Sequence, residues 1–250
     1  MICITFDNFG CGSGKLPPCP FPDVVPASEW ENYNEIGLTL GHPRILGLLR
    51  QLRIKATFFA EGYAAVIHPQ EVQRWHDEGH EIALHGWKHE TWSGLACEAD
   101  EDRLVRLSVA AMHELLGESP VGFRPPGLQI NRWTDDVMHR NGIKYIAHAT
   151  QPMQTRLPLL PCSPQLIDAA LIAPASGGLF GTLDADTAYN QFYDLALDHE
   201  RTTPEQPWVL VIHPLVSGNR GWSGLEKFLR KLRAQFTPDV FKTGREVALV

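Results

Sequence analysis

What this chain lacks narrows its class. Its five cysteines (Cys3, Cys11, Cys19, Cys97 and Cys162) are odd in number and form no CxxC pair. Neither a thiolate zinc site nor a disulfide framework is therefore supported, which leaves reduced thiols as the simpler reading. Basic residues are the minority, 22 Lys and Arg against 29 Asp and Glu, for a net charge of −7. Nonspecific binding to nucleic acid or to an anionic membrane rewards clustered Lys and Arg, so neither partner is expected. No apolar run approaches a membrane span, and no leader is visible. The chain opens on Met1-Ile2-Cys3-Ile4-Thr5-Phe6, which already reads as a core strand. A cytoplasmic protein is the expectation. A Gly-rich nucleotide fingerprint and short internal repeats are also missing.

What is present is ordinary globular composition, 44% hydrophobic and 20% charged over 250 residues. That length suits one α/β barrel-like domain or two small ones. Ile2–Phe6, Ala56–Phe59, Glu81–Leu84, Val121–Phe123, Ile143–Ala147 and Trp208–Ile212 read as strands. Between them lie amphipathic helices: one from about Pro43 to Leu52, then Pro69–Glu78, Glu98–Leu116, Trp133–Arg140, Asp184–Asp198 and Leu225–Phe236. Pro43 suits a first helical turn, and Gly79 and Gly117 suit helix ends. Alternation of this kind implies parallel strands with helical crossovers. No linker splits residues 1–250, so a single domain is expected. Two regions resist. Gly10–Gly41 is long, rich in Gly and Pro, and starts beside Asp7, which favours a pocket-shaping lid. Thr150–Gly181 is irregular, with one strand-like stretch at Leu166–Ala173.

Four strands end in polar residues out of place in a core. Asp7 and Asn8 follow the first, His85 and His89 the third, Arg124 the fourth and His213 the last. In a barrel of parallel strands these ends surround one mouth. Histidines at i and i+4 share a face of a helical turn, so His85 and His89 can converge on a single ion. Trp87 and Trp92 suit a pocket wall and ordinary packing equally. His42, His68, His76, His80, His113, His139 and His199 read as surface or capping side chains, Lys88 as solvated. His148 lies near a further strand end.

These stretches resemble the polysaccharide deacetylase family, carbohydrate esterase family 4, whose catalytic region is the NodB homology domain. Thr5-Phe6-Asp7-Asn8 resembles its Thr-Phe-Asp-Asp motif, and His85-Gly86-Trp87-Lys88-His89 its histidine pair. Phe123-Arg124-Pro125-Pro126-Gly127 is similar to its Arg-Pro-Pro turn, and Leu210-Val211-Ile212-His213-Pro214 to its Leu-x-Ile-His-Pro strand. His-Gly-Trp-Lys-His-Glu, with Pro43-Arg44-Ile45-Leu46 and Ile54–Phe59, further resembles a subgroup of allantoinase-like hydrolases, cyclic-imide hydrolases and atypical peptidoglycan deacetylases.

The resemblance implies an α/β fold, a distorted (β/α)7 barrel of the NodB homology type, that hydrolyses an amide C–N bond with a divalent metal, zinc above all. Asn8, His85 and His89 would be its ligands. Asp7 would be the general base, oriented by Arg124, and His213 the general acid. The Gly127 N–H would face the oxyanion. The partner implied is a small-molecule or saccharide substrate, and a homo-oligomer is compatible. Three departures stand out. The family's second aspartate is Asn8 here, the tyrosine after its Arg-Pro-Pro turn is absent, and Ile146-Ala147-His148-Ala149 offers no acid to support His213. Three readings follow: a metal-dependent deacetylase or deformylase of a small N-acylated substrate, a metal-independent cyclic amide hydrolase (allantoinase or imidase-like), and a catalytically degenerate sugar- or amide-binding protein.

Overall fold

Period-two patterning builds the barrel. In the computed structural model, which describes residues 1–7, 37–149 and 155–250, β1 (Ile2–Asp7), β2 (Thr57–Ala60), β3 (Glu81–Leu84), β4 (Gly122–Phe123), β5 (Tyr145–Ala149), β6 (Leu159–Cys162) and β7 (Trp208–Ile212) form one sheet. Its order is β6-β5-β4-β3-β2-β1-β7, and every pairing is parallel. A further parallel bridge, Ile167 to Val211, brings the chain just beyond β6 against β7. The seven strands thus make a nearly closed barrel, as the (β/α)7 expectation required.

Alternate residues of each strand face opposite sides. Ile2, Ile4, Phe6, Phe58, Ile82, Leu84, Phe123, Leu210 and Ile212 belong to the outer core shared with the helices. Cys3, Phe59, Ala83, Tyr145, Ala147, Leu160, Cys162, Val209 and Val211 form the cluster inside the barrel. Both sides are apolar because helices cover the outer one, which is why these strands read as continuous hydrophobic runs.

The crossovers are α1 (His42–Leu52), α2 (Ala64–Ile67), α3 (Pro69–Asp77), α4 (Glu98–Leu116), α5 (Thr134–Arg140), α6 (Asp168–Leu171), α7 (Ala185–Thr202), α8 (Pro214–Ser217) and α9 (Trp222–Gln235). Gly117 closes α4 in the left-handed conformation (φ 73°), the role its position implied. A last helix, α10 (Gly244–Ala248), carries a capping box from Thr243 and Glu246. It stoppers the strands' N-terminal end: the Gly244 N–H donates to Thr57 Oγ1 at 2.7 Å and the Arg245 N–H to Glu81 Oε2 at 2.8 Å.

Three expectations are corrected here. Leu166–Ala173 is not a strand: β6 lies earlier, at Leu159–Cys162, and Asp168–Leu171 is a helical turn. Pro161 interrupts the β-former pattern of β6, and its missing N–H is tolerated because only β5 pairs along that strand. His42 and His80 are buried rather than on the surface. His42 packs 4.3 Å from the Trp75 ring, and His80 Nδ1 accepts from the Ala56 N–H at 3.2 Å. The lid expected over Gly10–Gly41 lies mostly outside the described residues, as does Asn8.

Candidate functional site

The inward register carries the chemistry upward. Each expected strand-end residue continues the row of barrel-facing positions below it. Asp7 follows Cys3 and Thr5, His85 follows Glu81 and Ala83, Arg124 follows Gly122, and His213 follows Val209 and Val211. Hydrogen bonds extend the ladders past the strands proper: His85 N–H to Ala60 O at 2.8 Å, and Arg124 N–H to Leu84 O at 2.8 Å. Phe6 pairs with Ile212, so Asp7 and His213 leave neighbouring strands at the same level.

Arg124 is completely buried and cradled inside the barrel. Its Nη1 donates to Asp7 Oδ1 at 2.5 Å and to Thr5 Oγ1 at 2.9 Å, and its Nη2 reaches Cys162 Sγ at 3.4 Å. The guanidinium also stacks 4.0 Å above the Phe59 ring. Burial alone would push the Asp7 carboxyl up, yet its pKa lies below the ordinary value: Arg124 first, then His85 and His213, favour the charged form. Asp7 is thus an ionised, oriented carboxylate.

His213 titrates in the opposite sense. Burial works against its proton, but Asp168 outweighs it by charge and by hydrogen bond, and the pKa is raised. The contact is His213 Nδ1 to Asp168 Oδ1 at 2.7 Å. A carboxylate only accepts, so Nδ1 carries the hydrogen and Nε2 is the ring nitrogen left outside this bond. Asp168 is fully buried, and the His213 backbone N–H also reaches its Oδ2 at 2.9 Å. Here is the acid that Ile146–Ala149 lacked. It comes from the stretch read as irregular, where one clue was available: an Asp opening a helical turn inside an apolar run.

His85 and His89 come together, their ring centroids 5.1 Å apart, although not on a helical turn as expected. The connection is a loop with left-handed residues at Gly86 (φ 75°) and His89 (φ 61°). Glu90 braces it, accepting from the Trp87 N–H at 3.0 Å and the Lys88 N–H at 2.9 Å. Desolvation lowers the pKa of His85 to about 4 and of His89 to about 3, so both imidazoles are neutral. His85 Nδ1 lies 2.8 Å from the Arg124 carbonyl, which only accepts, leaving Nε2 with a free lone pair. A neutral imidazole whose other nitrogen is anchored to a backbone carbonyl is the donor a divalent ion requires. His85 meets that description, and the neutral His89 beside it offers a second imidazole to the same ion. Among the described residues no third His, Cys, Asp or Glu completes a cluster.

Gly127 sits exposed at φ 75° after the two prolines, a conformation that suits glycine. Trp92 is core, packed 4.8 Å from Phe123, while half-buried Trp87 lies edge-on to Tyr63 at 5.5 Å. His148 faces the outer side of β5, with Nδ1 on the Ala149 carbonyl at 2.6 Å, and does not join the group.

Residues 33–146 match the family model for polysaccharide deacetylase. Over that stretch, a little under half of its length, the chain is similar to the polysaccharide deacetylases. That match stops short of Asp7 and His213, which the barrel itself brings to the other members. A peptidoglycan deacetylase of Helicobacter pylori is 29% identical over 106 residues, 42% of this chain and 36% of that relative. The aligned stretch is thus little more than a third of the relative's length. Among solved structures, a Mycobacterium smegmatis protein assigned as a polysaccharide deacetylase superposes with a TM-score of 0.76 at 27% identity, covering 93% of this chain and 83% of that one. An allantoinase superposes with a TM-score of 0.82 at 20% identity, covering 99% and 88%, which establishes likeness of fold. No helix among the described residues is long and apolar enough to cross a membrane.

Proposed function

We propose that this deacetylase-like chain hydrolyses an amide C–N bond of a small N-acylated molecule. The observation that carries this is a base and an acid poised at one level of the barrel mouth. Asp7 is held ionised and His213 held protonated by separate partners, so both are ready at the same pH.

In this reading Asp7 takes the proton of the attacking water while Arg124 holds its carboxylate in place. His213 delivers a proton from Nε2 to the departing nitrogen, and Asp168 keeps Nδ1 occupied so that only Nε2 can do so. The exposed Gly127 N–H meets the developing oxyanion. His85 and His89 would hold a divalent ion, which when bound supplies Lewis acidity toward the carbonyl.

A substrate other than a chitin-like polymer is favoured by Gly127 directly following Pro126, where the family pattern places a tyrosine. Asn8 in place of the family's second aspartate favours a variant of the reading, opening of a cyclic amide without metal. Purified protein assayed on N-acetyl, N-formyl and cyclic amides, with added zinc and after chelation, separates these. Turnover of an acyl amide that is lost on chelation and restored by zinc is the expected result. Chelation-resistant opening of a cyclic amide would select the variant. Binding without turnover on every substrate, with and without zinc, would overturn both.

A further inference from the structure

Behind His213 the structure holds a longer buried chain than acid catalysis by a His–Asp pair requires. Pro214 starts α8, and the single turn Pro214–Ser217 returns Ser217 beneath His213, four residues on. The Ser217 hydroxyl donates to Asp168 Oδ2, and the Tyr189 hydroxyl donates to Ser217 Oγ at 2.6 Å. The Ala169 N–H takes the remaining place on Oδ1 at 2.6 Å. Each Asp168 oxygen therefore has two donors. One pair comes from His213 itself, and the other from Ala169 and Ser217. Tyr189, Ser217 and Asp168 are all buried, and Tyr189 stays a phenol because burial and the nearby Asp168 charge raise its pKa.

We infer that Ser217 and Tyr189 are positioning residues that fix the rotation of the Asp168 carboxylate and, through it, the direction in which His213 presents Nε2. A carboxylate in a short loop-borne turn rotates about its terminal bond unless both oxygens are tied. Here Oδ1 is tied to its own helical turn and Oδ2 is tied to α8 and, through Ser217, to α7. Three elements thus set one imidazole. The fully buried Ser217 and the phenol of Tyr189 are otherwise costly choices at core positions, since apolar residues would fill the space without needing partners. This inference rests on the proposed acid role of His213 for its kinetic consequence, but not for its geometry.

The test is spectroscopic first. In protein labelled with 15N-histidine, the Nδ1–H of His213 bonded to Asp168 should give a far-downfield proton resonance. Ser217→Ala and Ser217→Cys are expected to shift that resonance and speed its exchange with water. Cysteine keeps the volume and loses the strong donor, so a role in packing alone predicts no change in that variant. Tyr189→Phe should produce a smaller shift in the same direction, and it decides the matter if the Ser217 variants fail to fold. On a cleaved substrate, kcat should drop about tenfold in Ser217→Cys with KM nearly unchanged, the scale of one charge-assisted hydrogen bond. An unaltered resonance in folded Ser217→Cys and Tyr189→Phe would overturn the inference. A native protein that cleaves no amide, yet shows the resonance and its loss, would sink the proposed function and leave the positioning intact.

Discussion

Two buried carboxylates occupy the same barrel and are shifted in opposite directions. At the mouth, Asp7 faces a guanidinium and is held ionised. At the other end Glu81 faces hydroxyls and one backbone N–H: Thr57 Oγ1 at 2.9 Å, Tyr145 OH at 3.1 Å and Arg245 N at 2.8 Å. The Arg245 side chain stays 3.8 Å away and partly exposed. Desolvation therefore wins over these donors, and the Glu81 pKa is raised. The strand-facing side chains are chosen by position, but the charge state is chosen by the partner. A fully buried cation keeps Asp7 ionised, whereas neutral donors beside the helix stopper leave desolvation to raise Glu81.

The largest effects are expected where the charged partner is removed. Asp7→Asn should lower kcat/KM by about 10²- to 10⁴-fold, the usual worth of a positioned base. It also leaves Arg124 buried without its counter-charge, at a cost of about 3–5 kcal/mol in denaturant unfolding. Full turnover in Asp7→Asn would break the comparison outright. Asp168→Asn removes the charge that raises His213, and a loss of about 10²-fold or more is expected. Its alkaline limb in kcat/KM should also move to lower pH. In the native protein the profile should be bell-shaped, falling on the acid side as Asp7 takes up a proton and on the alkaline side as His213 loses one. Stability follows the same signs. The Asp7 contribution is present above the ordinary carboxylate value and lost as pH falls through its lowered pKa. The His213 contribution is present below 6.5, the ordinary histidine value, and lost as pH rises through its raised pKa.

Much of this was legible because strand-end chemistry obeys a period of two. Asp7, Arg124 and His213 each end an apolar run, and parallel strands bring such ends together whatever lies between. Helix caps such as Gly117 were legible for a similar local reason. What was not legible depends on long-range contact. Asp168 supports His213 across 45 residues, and nothing adjacent to either announces the pairing. The histidine pair was readable as a pair but not as a loop, since the loop is held by Glu90 through the Trp87 and Lys88 N–H groups, a bracing that the spacing of the histidines does not reveal. His42 and His80 look like surface residues in sequence because their burial is set by aromatic neighbours from other elements.

A middle-sized effect tests the loop. Glu90→Ala removes the acceptor for two backbone N–H groups while touching neither imidazole. Zinc affinity, measured by chelator competition, is expected to fall about 10–100-fold, as for other supports of a ligand's geometry. Unfolding should change by only about 1–2 kcal/mol. Unchanged zinc affinity would show that His85 and His89 converge without the brace.

The smallest effect is expected at the lower carboxylate, and there the sign matters more than the size. An acid whose folded pKa is raised binds its proton more tightly in the native state than in the unfolded one. Native stability then declines as pH rises from the ordinary carboxylate value, 4.5, to the raised one. Glu81→Gln keeps the shape, removes the titration and should flatten that part of the stability curve. Near neutral pH its net change should be within about 1 kcal/mol, because the relief from burying a charge offsets a poorer acceptor for Arg245 and Thr57. Turnover should stay within about twofold of native, since the barrel interior separates Glu81 from the mouth and the substitution leaves Asp7, Arg124 and His213 untouched. A large loss of activity in folded Glu81→Gln would mean that the two ends communicate through the Cys3–Cys162 layer between them, and the division of labour drawn above would fail.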